Sequence, residues 1–287
     1  MAINSVNIEK DENIDSLEIR DYKIIQKNSE FKFGIDSVIL ANIAHKQFEK
    51  TYKEKSKFYF CDMCAGSGVI ANIFYAKHLL NTKKEEEKNL KGILIEINKN
   101  ICSSAQKTIN INGFENNLYV INEDIKKIKS ISLKTSEDLR SFLHINQKVS
   151  KPNLSETMDI IMANPPYFKQ EKGLKNKVNT IHSARAEENC SIEDIAKVSS
   201  FLLKNSGALY MIHKTERLTE ITNVLSKNKL EPKEIYFIHS FKDKESQNFI
   251  IKAVKNGKEG IKVNASLIIY EKEGVYTKDL MELYKHE

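Results

Sequence analysis

The sequence predicts an α/β fold: a mostly parallel, twisted sheet with helices on both faces. Three observations predict it. Short apolar runs alternate with segments of helical periodicity, the pattern of successive strand–helix–strand units. Glycines, acidic residues or an Asn-Pro pair follow several of those runs, where a chain leaving such a sheet must turn. A hydrophobic content of 40% over 287 residues supplies the core of one large domain, or of one domain with a small appendage.

Taken in order, residues 14–33 read as short strands or a hairpin leading to Phe31-Lys32-Phe33-Gly34. Asp36 reads as the N-cap of a helix carrying Val38, Ile39, Leu40, Ile43 and Ala44. Phe58-Tyr59-Phe60-Cys61 is a compact apolar strand, followed by a glycine turn and a helix over 69–80. Residues 81–89 form a charged surface insert around Lys83-Lys84-Glu85-Glu86-Glu87-Lys88. Gly92-Ile93-Leu94-Ile95 is the next strand and ends at Glu96; 99–111 have helical periodicity, and 118–121 form another strand. Residues 126–156 are polar, lysine-rich and weakly patterned, which predicts an insertion with a short helix around 137–143. Beyond it come a strand at 158–163, an amphipathic helix at 192–203, a strand at 207–212 and a helix at 216–225. Strands at 235–238 and 265–270 close the series. Residues 1–48 are assigned to N-terminal strands and a lid helix of the same domain as 49–287.

Composition bounds the function. No apolar run approaches the length of a membrane span, and Met1-Ala2-Ile3-Asn4-Ser5 does not begin a basic-then-apolar leader, so a cytoplasmic enzyme is expected. A net charge of +6 permits a polyanionic partner without demanding one. Nearly all of the positive charge is lysine; the arginines are Arg20, Arg140, Arg185 and Arg217. Of the four cysteines, Cys61 and Cys64 form a C-x-x-C. No second pair and no suitably spaced histidine accompany it, so no metal or redox centre is expected there.

In a parallel sheet, ligands gather at the carboxyl ends of the strands. The first such end carries Asp62-Met63-Cys64-Ala65-Gly66-Ser67-Gly68, where the glycines allow a tight turn and close backbone approach. Gly66 to Ala71 satisfies G-x-G-x-x-G/A, a weak signal alone. The second ends at Glu96, an acid suited to accepting two hydrogen bonds from ribose hydroxyls. The third leads to Asp124, suited to accepting one from an adenine amino group, and Asp62 can lie near a ligand ammonium. Each acid alone is equally a solvated loop residue or a helix cap.

The fourth end is Asn164-Pro165-Pro166-Tyr167. Two prolines fix an extended backbone and remove two N–H donors, leaving a stiff loop of oxygen acceptors. Such a loop suits a planar NH2 group, and Tyr167 offers a flat face for stacking. Adenine, cytosine and guanine fit that description, and a glutamine amide fits partly. The glycines do not separate a nicotinamide dinucleotide from S-adenosylmethionine. The acceptor loop does, since methyl transfer to a planar amine uses it and hydride transfer has no need of it.

In order and chemistry, residues 62–68, Glu96, Asp124 and 164–167 resemble the motifs of Rossmann-like class I S-adenosylmethionine-dependent methyltransferases, in the amino-methylating group. More narrowly, the stretch from Phe31-Lys32-Phe33-Gly34-Ile35-Asp36-Ser37 to Ala41 resembles a motif of the bacterial tRNA(Val) adenine-N6 methyltransferase family. So do Asn164-Pro165-Pro166-Tyr167-Phe168, Ala184-Arg185-Ala186-Glu187 and the tail Leu267-Ile268-Ile269-Tyr270 with Tyr276-Thr277. The resemblance covers residues 17–284. Cys64 stands where a glycine often opens the loop, and the stretch 126–156 is longer than usual.

The resemblance implies a class I fold with an antiparallel C-terminal strand. It implies S-adenosyl-L-methionine held by Asp62, Cys64, Gly66, Gly68, Glu96, Asp124 and Asn164, with no metal. It gives Asn164, Pro165 and Tyr167 to catalysis and Phe168, Lys169 and Arg185 to a tRNA substrate, with the adenosine beside the anticodon of a valine tRNA as target. A monomer is expected. Gly34 and Asp36 are expected to shape a lid, and Lys169, Lys172, Lys175 and Lys177 to contact phosphates; His182 gets no catalytic role. The alternatives are methylation of a release-factor glutamine, of DNA adenine or of rRNA guanine. An inactive RNA-binding scaffold and a dinucleotide-dependent oxidoreductase complete the set.

Overall fold

In the computed structural model the chain is described over residues 6–29, 33–51, 57–81, 89–132, 136–144, 153–166 and 190–284. An antiparallel hairpin comes first, β1 (Glu12–Ser16) with β2 (Lys23–Lys27), and helix α1 (Ile35–Thr51) follows. Then β3 (Phe58–Met63), α2 (Val69–Asn81), β4 (Leu90–Glu96), α3 (Lys99–Asn112) and β5 (Leu118–Asn122) alternate. A 3-10 turn (Ile125–Ser130), the short α4 (Glu137–Phe142), β6 (Met158–Ala163), α5 (Ile192–Leu202) and β7 (Leu203–Lys214) come next. The chain continues through a second 3-10 turn (Thr215–Arg217), α6 (Leu218–Lys227), β8 (Leu230–His239) and β9 (Ser246–Lys255). It ends in the short strands β10 (Lys262–Val263), β11 (Leu267–Ile268), β12 (Tyr270–Lys272) and β13 (Val275–Tyr276), then α7 (Lys278–Tyr284).

The main sheet runs β10-β8-β9-β7-β6-β3-β4-β5, with β11 also on β8. The strands from β5 to β7 are mutually parallel, and β9 is antiparallel to both of its neighbours. From β3 the chain moves outward through β4 to β5, then returns to lay β6 on the other side of β3. The reversal point, where such folds bind ligands, is therefore between β3 and β6. Register puts Met63 opposite both Ile95 and Ala163, so the loops after β3, β4 and β6 leave the sheet at one edge.

Strand residues alternate between two cores. Phe60, Ile160, Met162, Tyr210, Ile212 and Ile250 face the side covered by α1, α2 and α7. Cys61, Met63, Ile161, Ala163, Met211 and Ile251 face the side covered by α5 and α6. Asp62 sits between Cys61 and Met63, so the pleat turns it with Phe60 toward α2. The N-terminal hairpin is fastened to α3: Ile25 N donates to Thr108 Oγ1 at 2.9 Å, and Ser104 Oγ and Lys107 Nζ both donate to Glu12.

Four expectations need correction. Asp36 is not an N-cap: α1 already begins at Ile35, and the Asp36 carboxylate instead accepts from Asn248 Nδ2 on β9. The antiparallel strand of the C-terminal region is Ser246–Lys255, a segment for which the sequence reading placed no strand. The run 265–270 forms only the two-residue β11 and the start of β12; on the edge of β8 away from β9, β10 pairs with Glu234 and Ile235 and leaves β11 the end at Ile238 and His239. The lysine-rich stretch 126–156 is also more than a polar insertion. Ile128, Leu139, Leu143 and Leu154 bury themselves in the core beneath the sheet, and Tyr59 Oη donates to Leu143 O at 2.7 Å. Of the charged insert expected at 81–89, Asn81 closes α2 and residues 82–88 lie outside the described residues.

Candidate functional site

The loop after β3 is built by backbone conformation. Cys64, Gly66 and Gly68 have φ of 60°, 56° and 81°, three left-handed positions within five residues. Glycine takes such angles freely, whereas Cys64 holds one against its Cβ. Ala65 N donates to Ile95 O at 3.0 Å and Gly68 N to Ala65 O at 2.8 Å, fixing the turn before α2. A Cβ on Gly66 would meet nothing within 4 Å among the described residues, so the backbone there is uncovered by them.

Two carboxylates bracket this loop. Asp62 is fully buried; its Oδ2 accepts from Ala71 N at 3.0 Å, while Oδ1 has no partner among the described residues. Burial holds its pKa well above the usual carboxylate range; the Ala71 N–H lowers it and Glu96 raises it. A buried, half-satisfied carboxylate is a ready partner for a cation. Its raised pKa means that the native state binds a proton more tightly than the unfolded chain. The stability of the ligand-free protein therefore falls as pH rises from the unfolded value near 3.8 toward the raised native one. Asp62→Asn is expected to remove that slope and to raise the melting temperature at neutral pH, by ~2–4 °C for each kcal/mol recovered. Parallel melts of the two proteins across pH check this; equal slopes would refute it.

Glu96 ends β4, with Oε2 accepting from Gly66 N at 2.9 Å and Oε1 from Asn98 N at 2.8 Å. Each oxygen keeps a lone pair for a further donor. Asn122 Nδ2 donates to Glu96 O at 2.9 Å and Glu123 N to the same carbonyl at 3.1 Å, which ties the end of β5 to the end of β4. Asp124 beyond them caps the 3-10 turn, its Oδ1 accepting from Lys126 N at 2.9 Å.

Asn164 and Pro165 follow β6 at the same edge, Asn164 half-buried and Pro165 buried. Asn164 Nδ2 donates to Ser37 Oγ in the first turn of α1 at 2.9 Å. The structure thus gathers Asp62, Cys64, Gly66, Gly68 and Glu96 on adjoining loops, with Asp124 beside Glu96 and Asn164–Pro165 on the strand next to β3. Tyr167, Phe168, Lys169, Lys172, Lys175, Lys177, His182 and Arg185 lie outside the described residues.

Three contributors escaped sequence reasoning. Ser37 was in view only as part of the 31–41 motif. Gln26 Nε2 reaches Ser67 Oγ at 3.3 Å from the N-terminal hairpin. Cys190 places its sulfur 3.3 Å from that of Cys64, across 126 residues of sequence, and together with burial it pushes the Cys64 thiol pKa well up. Among the described residues, no group of three or more His, Cys, Asp or Glu side chains is arranged to hold a metal, and no helix is long and apolar enough to cross a membrane.

No family model matches the chain. A tRNA1(Val) (adenine(37)-N6)-methyltransferase from Haemophilus influenzae is 22% identical over 281 residues, spanning 93% of this chain and 95% of that protein. Its counterpart from a second Haemophilus influenzae strain is 21% identical over the same span. Among solved structures, a protein from Agrobacterium tumefaciens described as a predicted O-methyltransferase superposes with a TM-score of 0.57 at 16% identity, covering 87% of this chain and 95% of its own. One from Listeria monocytogenes, described as a putative class I S-adenosylmethionine-dependent methyltransferase, gives 0.53 at 9% identity, covering 82% and 68%. The fold is that of the class I methyltransferases.

Proposed function

We propose that this protein transfers the methyl group of S-adenosylmethionine to the exocyclic N6 amine of an adenosine in tRNA, beside the anticodon of a valine tRNA. One observation carries the reading. The register of β3 on β6 sets the glycine loop and the Asn164-Pro165-Pro166 loop side by side at the reversal point of the sheet. The full-length similarity to tRNA adenine-N6 methyltransferases supports the choice of substrate.

The residues present suit the cofactor. The orphan oxygen of Asp62 answers an ammonium, Glu96 keeps acceptor capacity for ribose hydroxyls, and Gly66 is uncovered by the described side chains. Asp124 and Asn164 complete the proposed set, with Asp124 serving both the adenine amine and its own 3-10 turn. Bound S-adenosylmethionine supplies an electrophilic methyl carbon. The chain supplies acceptors. Asn164 Oδ1 and the Pro165 carbonyl take the two hydrogens of the amine, which turns the nitrogen lone pair toward the methyl carbon. After transfer the methylated nitrogen releases one of its own two protons to solvent, so no strong base is required. Holding the two reactants together supplies much of the acceleration. Tyr167 stacks on the base, Phe168 steadies it, and Lys169 and Arg185 contact phosphate. Residues 1–48 serve the same catalytic unit, since the hairpin is bonded to α3 and α1 to Asn164.

The reaction is tested by incubating protein and labelled cofactor in parallel with tRNA from a strain lacking the gene and with a translation release factor, then digesting the tRNA to nucleosides. N6-methyladenosine is expected; label in a release-factor glutamine instead, or in no acceptor, overturns the substrate. Replacing Glu96 with Ala is expected to weaken cofactor binding ~10–100-fold, the loss of one or two hydrogen bonds to a charged acceptor. Calorimetry measures it, and unchanged affinity unseats the ribose assignment.

A further inference from the structure

We propose that Cys64 and Cys190 form a reversible oxidation site, at which hydrogen peroxide joins the loop after β3 to the start of α5 by a disulfide and lowers cofactor affinity. The loss of affinity rests on the proposed role of that loop in holding S-adenosylmethionine. The two sulfurs stand 3.3 Å apart although 126 residues separate them in sequence. Both cysteines are free and half-buried, so the pair is not sealed in the core. The other two thiols are placed differently. Cys61 is fully buried, and Cys102 donates from its sulfur to Glu96 O at 3.3 Å.

The chemistry balances. One thiol loses its proton, its sulfur attacks a peroxide oxygen and the O–O bond breaks; the proton and the departing hydroxide leave as water. The second sulfur then attacks the sulfenic acid so formed. An S–S bond forms, and the hydroxide released takes the second thiol proton as another water. Two thiols are oxidised and one peroxide is reduced. The Cys190 sulfur and burial both hold the proton on Cys64, so the reaction is slow at neutral pH and calls for millimolar peroxide.

A bond requires the sulfurs to draw closer by about 1 Å. Side-chain rotation supplies part of that closure and the backbone the rest. The start of α5 is held by a capping box: Asp194 N donates to Ser191 Oγ at 3.1 Å, and Ser191 N to Asp194 Oδ2 at 3.2 Å. Cys64 sits at a φ of 60°, a strained position for a residue with a Cβ. The loop is therefore the side that yields. With it moves Gly66, whose N–H is bonded to Glu96 Oε2 at 2.9 Å.

The test compares the full chain before and after peroxide treatment. Peptide mapping by mass spectrometry without reductant is expected to find Cys64 joined to Cys190, and dithiothreitol to release them. No linked peptide, or one joining Cys64 to Cys61 instead, overturns the inference. Calorimetry with S-adenosylmethionine is expected to show ~10–100-fold weaker binding by the oxidised form, the weight of one hydrogen bond to a charged group, with recovery in dithiothreitol. Equal affinity of the two forms overturns the switch. Cys190→Ser separates this bond from oxidation elsewhere, at Cys102 above all. Its affinity is expected to change by less than about twofold on treatment, and a loss equal to that of wild type overturns the inference. The wild-type comparison needs no substitution, so it decides the matter even where the variant fails to fold. A reduced protein that binds no S-adenosylmethionine refutes the proposed function and the switch with it. Binding that is equal with and without the mapped bond refutes the switch alone.

Discussion

Asn164→Ala is expected to lower turnover by ~10²–10³, the scale for removing one preorganised polar group aimed at a reacting centre. The exocyclic amine of adenine is a poor nucleophile because its lone pair is delocalised into the ring. Without Oδ1, one of its two hydrogens loses its acceptor and the lone pair loses its aim. Cofactor affinity should change far less than turnover, since Asn164 is one of seven residues in the proposed cofactor set and Asp62 and Glu96 remain, with Gly66 N still fixed by Glu96 Oε2 at 2.9 Å. Stability should fall by ~1 kcal/mol, because Ser37 Oγ loses its donor. Single-turnover kinetics and calorimetry on the same preparation separate the effects. Turnover within tenfold of wild type would remove Asn164 from the mechanism.

A large effect on stability is expected at Gly68. A Cβ there would stand 2.7 Å from Leu94 Cδ2 and 3.3 Å from Asn72 Nδ2, on a backbone with φ of 81°. Leu94 is fully buried, so any shift of its Cδ2 must be taken up by the core, and Asn72 Nδ2 is held by Gly68 O at 2.8 Å. Left-handed strain of ~1–2 kcal/mol and overpacking of ~1–3 kcal/mol act together, so Gly68→Ala should cost ~2–5 kcal/mol. Gly66→Ala is the control. Its φ is 56° but its Cβ would meet nothing within 4 Å among the described residues, so it should lose only the strain. Denaturant melts of the two variants give the comparison, and equal losses would show that Leu94 yields.

The parallel part of the sheet was legible in sequence because each strand there is a compact apolar run ending in a turn residue. Phe58 to Met63 and Met158 to Ala163 are buried over most of their length, and both were found. Strand β9 was not, for a physical reason. Its apolar stretch Phe249-Ile250-Ile251 is broken by Lys252, a residue that normally marks a surface. In the fold, Lys252 Nζ reaches Glu234 Oε1 on β8 at 2.9 Å, a pairing that no local pattern announces. Asp36 was misread in the same way. Its position suits a cap, and its true partner Asn248 is 212 residues distant. The candidate site divides likewise. Asp62, the glycines, Glu96 and Asn164 were visible because strand ends mark them. Ser37 and Cys190 were not, since each matters only through a contact that folding creates.

The place of β9 bears on how the molecule is made. It is an interior strand, hydrogen-bonded to β7 on one side and β8 on the other, yet it is among the last long elements to leave the ribosome. Until residue 255 has emerged, β7 and β8 each present a bare row of amides and carbonyls, the kind of edge that recruits strands from other chains. A nascent or prematurely stopped product ending before Ser246 would therefore be prone to aggregate, and a holdase chaperone shielding that seam during synthesis would raise the yield of folded protein.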